Sequence, residues 1–287
     1  MSADNLYKGD DLYVELLVTN RSRRKTQQLE VYDNVPHEMK LRSGLNQMRL
    51  NLKPGESARI RYVLRCPLRG HYSIGPVSLR YRNTFNLSVD EMYVDHHSDI
   101  IIFPQIRDVE EAFIRSRTAK MYTGATTLRT PGPGTEFYSL REYVPGDPFK
   151  NINWKAFART GDLMINEKCR DAVTDLYIIL DSRDIARIGT VLKNPLEMGT
   201  VAAASLASFF IQRRDSVSLT IYDEKLSFLP PDTGDKQYFK ILSSLAGVAP
   251  RGTMPLQAVT NSLAARFSRG SPVFIISSCE GDGTVPS

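Results

Sequence analysis

Along residues 11–103 apolar and polar positions alternate in short runs, at Leu12–Val18, Leu29–Tyr32, Ala58–Leu64, Val77–Tyr81 and Met92–Val94. The series closes with the apolar run Ile100–Phe103. A period of two is that of a half-buried β-strand. Turn-forming residues separate the runs at Asn20–Arg24, Asn34–Pro36, Lys53–Glu56, Arg69-Gly70 and Gly75-Pro76. Short strands at such spacing predict an all-β domain over residues 1–103, a β-sandwich of immunoglobulin-like kind.

After residue 103 the pattern loosens into a connector, residues 104–172. Scattered apolar positions predict a helix over Ile106–Ala119, and the Gly, Thr and Pro of Thr123–Thr135 predict a mobile loop. From Glu136 to Gly161 comes the densest stretch, with the single tryptophan, Trp154, amid Arg141, Glu142, Asp147, Lys150, Lys155 and Arg159. A Pro145–Asp147 turn divides it.

From Val173 the periodicity changes again. Leu176–Leu180 is a continuous apolar run, as in a strand buried on both faces. Asn194-Pro195 caps a helix running to about Arg213, with its core face at Leu196, Val201, Leu206 and Phe209–Phe210. Its small residues, Ala202–Ala204 and Ala207, would let it sit close to a sheet. A strand at Val217–Tyr222, an antiparallel edge at Leu226–Leu229, helices at Lys236–Leu245 and Pro255–Phe267, and a strand at Val273–Ile276 follow. Alternating strands and helices predict a doubly wound α/β domain over 173–287, giving an α+β multi-domain chain.

Composition narrows the function classes. The net charge of +5 on 287 residues is no nucleic-acid footprint. The one basic cluster, Arg21–Lys25, is expected at a solvated hairpin tip. No apolar run reaches the roughly 20 residues of a membrane span, and Met1–Asp10 is too polar for a signal peptide, so a soluble, cytoplasmic chain is expected. Cys66, Cys169 and Cys279 are too scattered for a zinc site or a disulfide framework, and His37, His71, His96 and His97 lack ligand spacing. No phosphate-binding Gly-Lys loop and no nucleophile elbow occur.

Two places could carry chemistry. Asp181 follows a central strand, where α/β ligands bind, and Thr253, Ser277 and Ser278 could approach it as hard oxygen ligands for Mg²⁺. Arg183 and Ile185 stand two and four positions on and cannot serve as ligands; a cation there would neutralise Asp181 instead. Glu142, Asp147 and Glu167 could form an acid/base set, but their basic neighbours favour ion pairs. The 136–161 stretch reads as a brace onto the α/β sheet, with Leu140, Tyr143, Ile152, Trp154 and Phe157 as anchors, or as a partner- or ligand-binding face.

Leu140–Asp147, reading LREYVPGD, followed by Ile152–Gly161, reading INWKAFARTG, resembles the signature of the domain of unknown function 58 family. Arg69–Pro76 and Asn83–Leu87 are similar to two earlier elements of that family, the second with changes at Asn83, Thr84 and Asn86. The resemblance spans about residues 60–280 and marks Arg141, Glu142, Tyr143, Pro145, Gly146, Asp147, Trp154, Lys155 and Arg159 as signature residues. It implies that the α/β domain is von Willebrand A-like and of Rossmann type. Asp181 and Thr253 match two positions of that domain's metal-ion-dependent adhesion site, while Arg183, Ile185 and Ser278 depart from it. It further implies a non-enzymatic adaptor for a MoxR-type AAA+ ATPase, in assembly or maturation of envelope or metal-dependent complexes. A Mg²⁺-dependent binding module is the alternative. Family members often carry membrane helices ahead of the β domain, and their sheet continues past the strand matching Ile276. The chain is therefore expected to be a fragment of a longer, membrane-anchored protein facing the cytoplasm, or a shortened form.

Overall fold

The structure, a computed structural model, describes residues 5–26, 28–82, 89–109, 137–168, 175–268 and 271–278. It is a mixed α/β architecture in which sheets dominate the first part and helices enter later. The first part holds β1 (Leu6–Tyr7), β2 (Asp11–Thr19), β3 (Leu29–Asp33), β4 (Lys40–Gly44), β5 (Gln47–Leu50) and β6 (Ser57–Arg65). It continues with β7 (Gly70–Ile74), β8 (Val77–Arg82), β9 (Val89–Val94) and β10 (Ser98–Phe103). These form sheets ordered β2-β6-β4, β5-β3-β8-β9 and β1-β10-β7.

Alternation sets which side chains meet. In β6, Ile60, Tyr62 and Leu64 are buried while Arg59, Arg61 and Arg65 face solvent, as the period of two requires. The inward set joins Leu12, Val31, Ile74, Val77, Ile100 and Ile102 in one core. The apolar run at the end of β10 serves two cores at once. Ile100 and Ile102 belong to this one, whereas Ile101 and Phe103 pack into the core of the later α/β part.

Four strands were not legible from alternation: β1, β4, β5 and β7 are short, and every residue of β4 is exposed. The basic cluster Arg21–Lys25 is exposed but is no hairpin tip, because it joins β2 to β3, which lie in different sheets. Asn20 holds it, donating through Nδ2 to the carbonyls of Arg24 (2.8 Å) and Leu52 (3.0 Å). Residues 104–109 have no regular structure, so the helix expected from Ile106 does not begin there. Its remainder, and the Thr123–Thr135 loop, lie outside the described residues.

The second part begins with β11 (Phe137–Glu142), α1 (Trp154–Thr160) and β12 (Met164–Lys168). It continues through β13 (Asp175–Asp181), α2 (Pro195–Gln212), β14 (Ser216–Tyr222) and β15 (Leu226–Asp232) to α3 (Gly234–Ala246), α4 (Leu256–Leu263) and β16 (Val273–Ile276). The last four strands form a sheet ordered β15-β14-β13-β16, with β13 parallel to both neighbours and β15 an antiparallel edge. Asn194 caps α2 as expected, its side chain accepting from Glu197 N at 2.8 Å ahead of Pro195.

The buried face of α2 is in part the expected one, with Leu196, Phe210, Ala203, Ala204 and Ala207 at the sheet. Val201, Leu206 and Phe209 are only half-buried, and Leu196, Gly199, Thr200, Ala203, Ala204, Ala207 and Phe210 line the contact. Small residues win because the helix lies close to the sheet: a Cβ on Gly199 would sit 2.9 Å from Leu180 Cδ1 and 3.2 Å from Ile276 Cγ2. The expected helix from Pro255 is shorter too, α4 giving way to a 3-10 turn at Ala264–Arg266. On the opposite face of the sheet α4 covers Ile179 and Tyr222 with Val259 and Leu263.

One buried arginine ties the two parts together. Arg69, ahead of β7, donates through Nη1 to the carbonyls of Leu245 (2.7 Å), Ala246 (2.9 Å) and Val248 (2.8 Å) at the end of α3. Those of Leu245 and Ala246 are carbonyls that a helix terminus leaves without i+4 donors, and Val248 follows just beyond the helix. Its Nε lies 2.9 Å from Glu197 Oε1, and Lys8 Nζ lies 2.6 Å from Glu197 Oε2. Burial pushes the Arg69 guanidinium down from its ordinary pKa, and the Glu197 carboxylate opposes that shift.

Candidate functional site

The segment carrying the signature residues is a hairpin with a helix across its turn. β11 and β12 pair antiparallel, with Leu140 opposite Asn166, Arg141 opposite Ile165 and Glu142 opposite Met164. The chain leaves β11 through a β-turn closed by Asp147 N donating to Val144 O at 3.1 Å. Pro145 and Gly146 hold its central positions, and Gly146 sits at φ 111°, a left-handed conformation that favours glycine.

Helix α1 is started and stopped by its own sequence. Asn153 caps it, accepting from Ala156 N at 2.9 Å, and donates through Nδ2 to Asn166 Oδ1 at 2.9 Å, tying the cap to β12. Gly161 ends it in the left-handed region at φ 82°, its N–H donating to Phe157 O at 2.9 Å. Ile152 is buried and bridges to Ile165.

Arg141 organises the charges. It grips Asp147 at both ends, Nη1 to Oδ2 and Nη2 to Oδ1, each 2.7 Å, and its Nε donates to Glu167 Oε1 at 2.8 Å. Asp147 Oδ2 also accepts from Val144 N at 3.0 Å, and Glu167 Oε2 from Ser139 Oγ at 2.8 Å. The hydrogen bonds from Arg141, with that from the Val144 amide, hold the Asp147 carboxyl below the usual carboxylate range. The same pairing, with Asp147 first, raises the Arg141 guanidinium above its ordinary value. Two carboxylates locked on one guanidinium offer no free base, so Asp147 and Glu167 do not form the acid/base set that the sequence left open with Glu142. Glu142 itself is exposed.

The expected balance of charge and apolar anchoring is only partly present. Among the described residues Lys150, Lys155, Arg159 and Glu142 form no ion pair, and all four are exposed. Trp154 is 61% exposed and Phe149 72%, with Val144, Leu140, Phe157 and Leu163 also exposed. Trp154 is therefore not the buried anchor of a brace. The aromatic rings pair with each other instead. Trp154 and Phe157 meet edge to face at 6.2 Å, three residues apart on α1, and Tyr143 stacks on Phe149 at 5.9 Å.

The second expected site, at the carboxyl end of β13, is filled by the chain's own cation. Arg183 donates through Nε to Asp181 Oδ1 (3.0 Å) and through Nη2 to Oδ2 (2.8 Å), and its backbone N–H reaches Oδ1 at 3.1 Å. Ser277 Oγ donates to Oδ2 at 2.6 Å, so that serine joins Asp181 as the sequence suggested. Arg183 also lies 5.5 Å from the Tyr222 ring centroid. Burial works to raise the Asp181 carboxyl, but the hydrogen bonds from Arg183 and Ser277 outweigh it and hold the group below its ordinary value. Thr253 is exposed and makes no hydrogen bond to Asp181. Among the described residues no cluster of His, Cys, Asp and Glu could hold a metal ion. A Mg²⁺ ion would have to displace a bidentate guanidinium, so the residues present do not fit one.

Fold and site together define an α+β protein with exposed aromatic residues, Phe149 and Trp154 among them, on a separately capped hairpin–helix unit. The chain belongs to the family described as protein of unknown function DUF58, whose model matches residues 139–282 and so takes in nearly all of that unit. Uncharacterized proteins Rv1480 of Mycobacterium tuberculosis and Mb1516 of Mycobacterium bovis are each 28% identical over 76 residues, 26% of this chain. The chain spans about a quarter of the length of these curated relatives, 24% of each. Among solved structures, a FixG-related protein from Vibrio parahaemolyticus is similar at a TM-score of 0.23 and 14% identity, covering 35% of this chain and 89% of that one. A family 123 glycoside hydrolase from Clostridium perfringens gives 0.20 and 9%, covering 96% of this chain and 54% of that one. Likenesses that low bear on neither fold nor function. Among the described residues no helix is long and apolar enough to cross a membrane.

Proposed function

We propose that this chain is a non-enzymatic interaction protein whose 137–168 unit docks a protein partner, and that the partner is a MoxR-type AAA+ ATPase. The observation that carries the reading is the exposed edge-to-face pair of Trp154 with Phe157 and exposed Phe149 stacked on half-buried Tyr143, beside the exposed cations Lys150, Lys155 and Arg159, which form no ion pair among the described residues. Aromatic residues held rigid at a surface are the composition of interface hot spots, and unpaired cations suit an acidic rim on the partner. Arg141, Asp147 and Glu167 fix the geometry of the unit without leaving a reactive group.

In the same reading residues 1–103 form an immunoglobulin-like sandwich, 104–172 a connector, and 173–287 a von Willebrand A-like domain whose ligand edge Arg183 closes. The complex would serve assembly or maturation of envelope or metal-dependent complexes, with the full-length protein anchored at the cytoplasmic side of a membrane. The test is affinity purification of the full-length protein from its native cells, followed by identification of bound proteins. An AAA+ ATPase of this type retained by the wild type supports the reading. Repeated purifications that retain none sink it.

A further inference from the structure

Among the described residues the outer edge of β2 carries no further strand: β2 pairs only with β6, through all nine of its positions. Asn20 N donates to Glu56 O at 2.9 Å, and hydrogen-bonded pairs alternate along an antiparallel ladder. The backbone groups of Leu12, Val14, Leu16 and Val18 therefore face β6, and those of Tyr13, Glu15 and Leu17 face away from it. On the outward face Tyr13 is 75% exposed and Leu17 58% exposed, on either side of Glu15, whose carboxylate is held by Arg61 at 2.7 Å. A nine-residue edge with exposed apolar side chains invites an added strand.

A cleft of about 300 Å³ runs beside this edge. Val14, Glu15 and Leu16 all line it, and consecutive strand residues point to opposite faces, so the cleft lies at the strand's edge. Ile74 and His96 line it from β7 and from the approach to β10, and Asp33, at the end of β3, lines it while being almost wholly buried. Tyr62 Oη donates to Asp33 Oδ2 at 2.6 Å. Among the described residues no hydrogen bond reaches Oδ1 and no lysine or arginine pairs with this carboxylate. Burial pushes the Asp33 carboxyl up, against the hydrogen bond from Tyr62 and the charge of His96. A buried carboxylate with no lysine or arginine paired to it is costly, and a cation brought into contact with it relieves that cost.

We infer that the β2 edge takes up an extended, lysine-bearing segment of a partner protein as an added strand, with the lysine reaching into the cleft to pair with Asp33. Backbone bonds to Tyr13, Glu15 and Leu17 supply affinity, and Tyr13 and Leu17 take apolar side chains on the outward face. A second copy of this chain does not fit, because β2, reading DLYVELLVT, carries no lysine to pair with Asp33. The segment is distinct from whatever the 137–168 unit binds.

The probe is a labelled nonapeptide of alternating threonine and valine with one central lysine, titrated against the full chain by fluorescence anisotropy beside its glutamine counterpart. The lysine peptide is expected to bind at least tenfold more tightly. Asp33→Asn, which keeps an acceptor for Tyr62, abolishes that preference. Leu17→Pro removes only an outward N–H and weakens both peptides. Trp154→Ala changes neither. Equal binding of the two peptides by the wild type overturns the inference, as does a preference that survives Asp33→Asn, binding of neither peptide, or self-association of the chain in place of peptide binding. If Asp33→Asn fails to fold, the peptide pair on the wild type and the Leu17→Pro variant still decide.

Discussion

Arg183 spans both carboxylate oxygens of Asp181, 3.0 Å and 2.8 Å away, at the edge of the sheet where an α/β fold ordinarily receives its ligand. Both side chains are buried, so the pair is shielded from water. The position a divalent ion would take is already occupied by a guanidinium two residues along the same chain. Millimolar Mg²⁺ or Mn²⁺ is expected to leave the wild-type Tm unchanged, since a bound ion would raise it.

Removing that guanidinium should be costly. Arg183→Met strands a buried carboxylate and is expected to lower stability by about 3 kcal/mol. The pH dependence gives the sign. In the wild type the Asp181 pKa is depressed, so the pair's contribution is complete above the unfolded value near 4 and is lost as pH falls through the folded value. In Arg183→Met the carboxyl loses the guanidinium and keeps only Ser277 and the backbone N–H against burial, so its pKa rises relative to wild type and stability relative to wild type recovers as pH falls. Urea denaturation across that range measures both slopes.

Arg69 and Glu197 provide a separate check on how the two parts of the chain are joined. Arg69→Met removes the donor for three carbonyls at the end of α3 and half of the charge pairing of Glu197. A loss of about 3 kcal/mol is expected. Adding Glu197→Gln should cost less than the sum of the single changes, because the two groups are coupled. Thermal denaturation of the four proteins tests this, and strict additivity would count against the latch.

Arg141→Ala addresses the signature unit alone. It releases Asp147 and Glu167 together, so faster amide exchange is expected at Val144 and Asp147, with the core strands of the α/β sheet unaffected. The Asp147 pKa is depressed in the fold, so the wild-type turn should keep its protection above the ordinary carboxyl value near 4 and lose it as pH falls further. Exchange measured by NMR from about pH 7 down to about pH 2, through the ordinary carboxyl value near 4, tests this.

Much of the fold was legible where burial imposes a period. Leu176–Leu180, Val217–Tyr222 and the Asn194-Pro195 helix start lie where the sequence puts them, because a buried sheet and a capped helix each leave a local signature. Strand β4 left none, since none of its residues is buried. Helix α2 was placed correctly, with Leu196, Phe210, Ala203, Ala204 and Ala207 at the sheet as expected, but Val201, Leu206 and Phe209 are only half-buried because Gly199, Ala203 and Ala207 make the closest approach. The charges were legible as a group but not as pairs. Nothing local says that Arg141 takes Asp147 and Glu167 while Lys155 and Arg159 form no ion pair among the described residues. Asp33 was missed altogether, although Tyr62, buried between Ile60 and Leu64 on the inward side of β6, marks a phenol that needs a partner in the core.

Trp154 and Phe157 decide the central proposal. Both are exposed, so replacing both with alanine should change stability by no more than about 0.5 kcal/mol each. The direct measurement is the affinity of a purified MoxR-type AAA+ ATPase from the same cells for the wild type and for the Trp154→Ala/Phe157→Ala variant, at matched Tm. A loss of about thirtyfold or more, the scale of a hot spot, is expected. Equal affinity for the two proteins would show that the exposed aromatic pair is not where the partner docks.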